Sequence, residues 1–348
     1  MMKWNLRQSL KPLMRSRAIL YILLFLVLGY WSVCFLVPLA TDLVRLDGVE
    51  KTKASGSLVR RIPGSVDPHV CSQKTVAVMT VVRDFESWGP HRSFWNHLQM
   101  VRAFGYPSSC ISINVIVSNV MEFYKLNDAV MRKGWISEFR SVTLVMAQKS
   151  YYWPRGDRFS PTVRKERRRV IAMLRNQLVY SALDAEDYVL WIDADVTRIP
   201  QHLLAVMVAS GKDIVVPRCN VEFDRLYDWN TWKGERAKPN ELQISALKRG
   251  RLFDPHLANG TGYISDYVGS RKRFVEMDSV GASFLLVKAD VHRDGVIFPP
   301  MYIVGTDWTM TEGYDGIETE GLCYMARAIG YRCWGMPQPR DFIRHSFK

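Results

Sequence analysis

The sequence predicts an α/β fold built on a mostly parallel sheet. Three observations carry this. Short β-branched runs recur between longer helical stretches, most of the runs are continuously apolar, and one of them leads directly into paired carboxylates. Continuous apolar runs suit strands covered on both faces. Alternation with helices argues right-handed crossovers, whose ligands bind at the carboxyl ends of the strands.

In chain order the runs are 75–82, 111–117, 143–147, 188–192, 213–216 and 282–287. Helical patterning falls between them at 93–104, 120–133 and 164–183. No G-x-G-x-x-G or G-x-x-x-x-G-K-[ST] occurs, so dinucleotide-binding and P-loop folds lose their main signal. A single folded domain over residues 73–348 is expected.

Upstream of that domain the composition changes. Residues 18–40 hold no charge and are dominated by Leu, Ile, Val, Phe and other aromatics. That is enough to cross ~30 Å of hydrocarbon at ~1.5 Å per residue. Residues 1–17 carry Lys3, Arg7, Lys11, Arg15 and Arg17 with no acidic residue, so the tail is expected in the cytosol and the rest beyond the membrane. The run is too long for a cleaved signal peptide and predicts one uncleaved anchor. Residues 41–72 are poor in aromatics and read as a stem.

The net charge is +13, of which +8 remains once the five basic residues of the tail are set aside. That excess suits an anionic small molecule or an acidic surface. The topology removes nucleic acid as a partner. Of six cysteines, Cys34 lies in the span; Cys71, Cys110, Cys219, Cys323 and Cys333 follow, an odd number that leaves at least one unpaired in an oxidising lumen. None has zinc-site spacing. Asn259-Gly-Thr261 is an acceptor pattern for N-glycosylation.

Candidate chemistry centres on Tyr188-Val-Leu-Trp-Ile-Asp193-Ala-Asp195. At a strand end, residues i and i+2 project to one side. Asp193 and Asp195 would therefore share a divalent cation, Mn²⁺ or alternatively Mg²⁺, which keeps part of its shell for phosphates. The first strand ends in Arg83-Asp84, a second place to meet a nucleotide. In the helix before Asp193, Ile171, Leu174, Leu178 and Ala182 share a stripe flanked by Arg168, Arg175 and Asn176. Arginine there suits bidentate bonds to a diphosphate.

Tyr227, Asp228, Trp229, Asn230 and Trp232 form a polar and aromatic stretch without periodicity, suited to sugar rings. Asp315, Glu318 and Glu320 precede a helix in greater number than capping requires. They are candidates to hold an acceptor hydroxyl or the reacting sugar. His345 is a candidate to complete a metal shell.

Arg175-Asn176, Trp191-Ile-Asp193-Ala-Asp195-Val, Tyr227-Asp-Trp-Asn-Thr-Trp232, Asp278-Ser-Val-Gly281, Glu318-Thr-Glu-Gly321 and His345 together resemble the fungal Golgi mannan-polymerase family of mannosyltransferases. The resemblance spans about 74–345. It implies a GT-A nucleotide-diphospho-sugar fold, GDP-mannose as donor, Mn²⁺, and retaining α-1,6-mannosyl transfer to a mannan or N-glycan acceptor. It also implies hetero-oligomers with paralogous mannosyltransferases in the Golgi membrane, the endoplasmic reticulum being the alternative.

On that resemblance Asp193, Asp195 and His345 engage metal and donor. Arg175 and Asn176 fall in the family's helix before the metal pair, where a donor role is expected, while Arg83 and Asp84 are donor candidates from their strand end alone, a solvated turn being the alternative. Glu318 and Glu320 fall in the family's acidic motif, where acceptor positioning or support of the positively charged sugar is expected; the acceptor role of Tyr227, Asp228, Asn230 and Trp232 and the catalytic role of Asp315 are read from the residues alone. Ile192 departs from the family, whose strand carries a charged residue there. The alternatives are a weakly active subunit within a complex, and a transferase of another donor or linkage.

Overall fold

The structure, a computed structural model, describes residues 49–51, 58–65, 71–132, 134–148, 153–154, 156–157, 160–222, 225–249, 257–303 and 313–346. The chain divides into Met1–Val49 and Glu50–Lys348. The expected tail, the span 18–40, Cys34 and much of 41–72 lie outside the described residues. Among the described residues, no helix is long and apolar enough to cross a membrane.

The strands are β1 (Val49–Lys51), β2 (Leu58–Pro63), β3 (Val76–Val82), β4 (Ile111–Val117), β5 (Ser141–Met146), β6 (Tyr188–Ile192), β7 (Val196–Arg198), β8 (Ile214–Pro217), β9 (Cys219–Asn220), β10 (Trp232–Lys233), β11 (Gly262–Tyr263), β12 (Val275–Met277), β13 (Phe284–Lys288), β14 (Cys333–Met336) and β15 (Ile343–His345). Helices are α1 (Phe94–Arg102), α2 (Val120–Arg132), α3 (Pro161–Ala182), α4 (Leu203–Ala209), α5 (Glu241–Lys248), α6 (Ala289–Arg293) and α7 (Thr319–Ala328). Ten strands form the main sheet in the order β1-β2-β5-β4-β3-β6-β13-β8-β14-β12.

Parallel pairing holds where the sequence alternates strand and helix. β3 runs beside β4 from Val76 with Ile111 to Val82 with Val117, and β4 and β6 extend the same parallel block through β5 and β3. The far half corrects the mostly parallel expectation. β13 is antiparallel to both β6 and β8, and β12 is antiparallel to β14, so the sheet is mixed. The physical reason is the route of the chain. After β8 it leaves the main sheet through β9, β10 and β11, β12 returns to its edge beside β14, and β13 then runs back from the end of β6, with Phe284 opposite Ile192.

Alternation along the strands sends side chains into two cores. Val76, Val78 and Val82 of β3 face one, where Phe94, Leu98 and Val101 of α1 pack. Ala77 and Met79 face the other, filled by Val170, Leu174, Leu178 and Ala182 of α3. Ser160 caps α3, its hydroxyl accepting from the Val163 N–H, with Pro161 at the first helical position.

Part of 41–72, read as stem, belongs to the sheet. β2 pairs antiparallel with β5 from Val59 with Val145 to Pro63 with Ser141. A strand near the edge needs few buried apolar side chains, and Val59 supplies one, so poverty in aromatics did not exclude it. Disulfides join Cys71 to Cys110 and Cys323 to Cys333, while Cys219 is free and buried. The first ties the entry of β3 to the entry of β4; the second ties α7 to β14.

Candidate active site

The parallel strands β3 and β6 end at one edge of the sheet, where β13 begins. Asp193 follows β6 directly, and its N–H donates to the Ser283 carbonyl at 3.1 Å. The Asp193–Asp195 turn then feeds β7, which pairs with β15, placing Val196 opposite His345. This small pairing brings the late histidine to the pair: His345 Nε2 lies 2.8 Å from Asp195 Oδ1. The Ser346 N–H donates to the Asp195 carbonyl at 3.0 Å, and Tyr227 stacks on the imidazole with ring centroids 3.9 Å apart.

Burial opposes protonation of His345, but the bond to Asp195 and the charges of Asp195 and Asp193 outweigh it and hold its pKa above the usual value. Asp193 is pushed up to about 6, first by burial and then by Asp195 and Asp228, against the pull of Arg175. Asp228 is raised mainly by burial as well. Its carboxylate accepts from the Asn230 N–H at 3.2 Å and occupies the space a side chain at position 281 would need. A Cβ on Gly281 would lie 1.6 Å from Asp228 Oδ2, which explains the glycine after Val280.

A second group of carboxylates stands across the crevice at the start of α7. Arg168 and Arg175, two turns apart on α3, reach it. Arg175 Nη2 donates to Asp193 Oδ1 at 3.2 Å, and its Nε lies 3.5 Å from Glu318 Oε1. Arg168 Nε donates to Glu318 Oε2 at 3.4 Å, its Nη2 donates to the Ile317 carbonyl at 2.9 Å, and the same nitrogen lies 3.2 Å from Glu320 Oε1. Arg236 Nη2 donates to Glu320 Oε1 at 2.9 Å and its Nε lies 3.5 Å from Asp315 Oδ1; Tyr324 donates to Asp315 Oδ2 at 3.1 Å.

Charges therefore alternate without a break from Asp193 through Arg175, Glu318, Arg168, Glu320 and Arg236 to Asp315. Four carboxylates meet three guanidiniums, which leaves one negative charge uncompensated. The imbalance is relieved at the most buried member. Asp315 is pushed up to about 7, first by burial, then by Glu320, with Arg236 opposing. Arg168, by contrast, is raised above its ordinary value because Glu320 and Glu318 outweigh the cost of burial. Glu318 sits at φ +59°, a conformation rare for a side chain-bearing residue, and such strain clusters at functional sites.

Several residues singled out in the sequence hold the site together rather than face into it. Asn176 spends its amide on the backbone of Phe298, donating to the carbonyl at 2.8 Å and accepting from the N–H at 2.9 Å. One N–H and one lone pair of the amide are thereby committed to holding α3 against the Phe298 segment. Trp232 is fully buried under the Arg236 guanidinium, 5.1 Å from the ring centre. It offers no face to a sugar. Trp229, 56% exposed and edge-on to Tyr263, does. Asn230 donates to Thr319 Oγ1 at 3.4 Å, and Tyr227 supports His345. Arg83 donates to Asp84 at 2.8 Å and to the Trp153 carbonyl at 3.1 Å. Asn259 lies on an exposed turn.

The sequence did not single out Arg236 or Tyr324, and it left Arg168 as one arginine among several. Among the described residues, no three His, Cys, Asp or Glu side chains converge tightly enough to make a metal shell by themselves. Carboxylate and imidazole donors at Asp195 and His345, beside the crowded negative charge of Asp193 and Asp228, nonetheless match a hard divalent cation that completes its shell with phosphate and water.

A mixed sheet with charged groups gathered where β3 and β6 end and β13 begins defines an α/β domain with its crevice at the strand ends. The Anp1 family model matches residues 64–302, and the chain belongs to that family. It is 25% identical over 308 residues to the mannan polymerase complex subunit mnn9 of Schizosaccharomyces pombe, covering 80% of this chain and 82% of that protein. It is 32% identical over 196 residues to the mannan polymerase complex subunit MNN9 of Candida albicans, covering 52% and 50%. The mannan polymerase I complex VAN1 subunit of Saccharomyces cerevisiae is 27% identical over 57% of this chain and 38% of its own. Among solved structures, a Pyrobaculum calidifontis mannosyltransferase in complex with GDP-Man and Mn²⁺ aligns at 12% identity and a TM-score of 0.43, covering 82% of this chain and 59% of that one.

Proposed function

We propose that this chain is a glycosyltransferase that moves mannose from GDP-mannose to an α-mannoside acceptor, extending the α-1,6-linked mannan of N-glycans with retention. The single observation that supports this best is the approach of His345 to Asp195 at the end of β6. It joins an imidazole and strand-end carboxylates from distant parts of the sequence at the edge where α/β sheets bind ligands. The reading also draws on the relatives, which are subunits of mannan polymerase complexes.

Asp195 and His345, with Asp193 beside them, are the residues that would hold Mn²⁺ or Mg²⁺. When bound, such a cation neutralises charge on a departing diphosphate and orients it. The remaining work falls to the chain. Arg175, its guanidinium 5.1 and 5.2 Å from the ring centres of Trp191 and Phe298, which pack edge to face on each other, fixes Asp193 and Glu318 relative to each other. Arg168 and Arg236 hold Glu318 and Glu320 so that no carboxylate must reorient as positive charge develops on the sugar. Asp228 lies on the floor, and Trp229 offers an aromatic face to an acceptor ring.

Turnover of GDP-mannose and UDP-sugars by the purified protein with an α-mannoside acceptor, with and without Mn²⁺, tests the reading. Metal-dependent transfer from GDP-mannose supports it, and the absence of turnover with every donor and partner overturns it. Glu318→Gln should lower transfer by roughly ten- to a hundredfold with donor affinity kept; an unchanged rate returns Glu318 to a structural role.

A second reading, supported by the relatives' place in complexes, is a subunit that works only with a paralogous mannosyltransferase. Turnover restored by adding that partner distinguishes it. We place the protein in the Golgi membrane, held by residues 18–40 with the folded domain in the lumen. Protease protection of the domain in intact vesicles checks that orientation.

A further inference from the structure

A sugar diphosphate entering this crevice needs cationic or hydrogen-bond donors, yet the arginines around the carboxylates are engaged. Arg175 is held by Asp193 and Glu318, Arg168 by Glu318 and Glu320, Arg236 by Glu320 and Asp315, and Arg83 by Asp84. Arg92 is different. Its Nε is buried and meets no hydrogen-bond acceptor, and so is the hydroxyl of Ser346. A buried donor left without a partner costs about 1–3 kcal/mol, and two at one spot point to a group that completes them.

They are at one spot. Gly89, at φ +95°, stands beside both. A Cβ added there would lie 3.6 Å from Arg92 Cδ, 3.6 Å from Asp195 Cβ and 3.6 Å from Ser346 Oγ. The bare glycine thus leaves a methyl-sized space bounded by the Arg92 stem, the Ser346 hydroxyl and the Asp195 side chain. Ser346 is fixed in it at both ends, its N–H on the Asp195 carbonyl at 3.0 Å and its carbonyl accepting from His345 Nδ1 at 2.7 Å. Asp195 itself already has His345 as a partner, so Arg92 is not required to satisfy that carboxylate.

We propose that Arg92 and Ser346, on either side of Gly89, form the cradle for the diphosphate of the nucleotide donor. The assignment rests on the donor reading above. A guanidinium offers paired N–H groups matched to phosphate oxygens, the serine hydroxyl adds one donor, and a cation held by Asp195 and His345 would neutralise the opposite side of the same group.

The test is a calorimetric titration of the full chain, in MnCl₂, with GDP and with guanosine, for the wild type, Arg92→Gln, Arg92→Lys and Ser346→Ala. The expected result is a loss of GDP affinity of at least tenfold for Arg92→Gln, smaller losses for Arg92→Lys and Ser346→Ala, and guanosine affinity unchanged throughout. Unchanged GDP affinity in Arg92→Gln overturns the proposal, and so does an equal loss of GDP and guanosine, which marks a structural role. If the wild type takes UDP rather than GDP, the donor assignment fails, while the ratio of UDP to uridine still decides the cradle. A wild type that binds neither nucleotide overturns both.

Discussion

The crevice holds two groups of carboxylates that the chain treats in opposite ways. Asp193 and Asp195 keep 36% and 17% of their side chains exposed, whereas Glu318, Glu320 and Asp315 keep 9%, 3% and none. The first pair stands at the end of a strand beside an imidazole; the second is locked between three arginines. Open carboxylates with an imidazole can exchange ligands, because partners from solution compete with few internal bonds. Locked ones cannot, but they present fixed charge at no reorganisation cost. One side of the crevice is built to take up a ligand and the other to wait for it, and Arg175 joins them.

The largest effect should come from the open side. Asp195→Ala removes the partner of His345 while leaving the sheet untouched, so transfer should fall roughly a thousandfold, equivalent to about 4 kcal/mol of barrier. The melting temperature should stay near wild type. Full activity in this variant would refute the assignment of the open pair as the ligand-exchanging side.

The locked side should fail through stability instead. Arg168→Met strips Glu318 and Glu320 of a shared cation in a buried setting, and breaking such a network by removing one partner costs about 3–5 kcal/mol. Chemical denaturation measures it. A loss under about 1 kcal/mol, the range of exposed pairs, would mean that the ladder is loose and that the two groups of carboxylates do not differ.

Acidity sharpens the same comparison. An ion-paired carboxylate normally titrates below its ordinary value and stabilises the fold as pH rises. Asp315 does the reverse, since burial and Glu320 push it up to about 7 from 3.8. Between about pH 4 and 7 the folded chain holds a proton that the unfolded chain has released, so this residue makes stability fall as pH rises through that window. Asp315→Asn should flatten the fall. Equal slopes of unfolding free energy against pH in the two proteins would place the uncompensated charge elsewhere on the ladder.

How much of this was legible in the sequence divides along the same line. β3, β4 and β6 were readable as continuous apolar runs, and Asp193 with Asp195 followed from strand geometry. In the mixed half the runs 213–216 and 282–287 were readable as β8 and β13, but the direction of β13 was not, because it follows a long excursion that has no period of its own, and the short β12 and β14 gave no run. Arg168 and Arg175 were readable as a line on α3, but their partners were not. Glu318 and Glu320 lie some 150 residues away, and only the tertiary fold makes them neighbours. Arg236 and Tyr324 carried no local pattern at all. Trp232 misled because an aromatic in a polar loop reads equally well as a sugar platform and as a core side chain; the structure buries it and exposes Trp229.

Asn176 gives the smallest effect and the cleanest control on the comparison. It adjoins Arg175 and shares its helix, so a reading by position alone assigns both to the donor. Its amide instead ties α3 to the Phe298 backbone with one bond in each direction. Phe298 in turn supports the Arg175 guanidinium. Asn176→Ala should therefore cost about 1–3 kcal/mol of stability, the price of leaving a backbone N–H and carbonyl unpaired, with donor affinity and turnover per folded molecule unchanged. A raised KM for the donor without loss of stability would return Asn176 to the ligand side of the crevice. It would also mean that α3 reaches the donor with more than the one residue that links the open carboxylates to the locked ones.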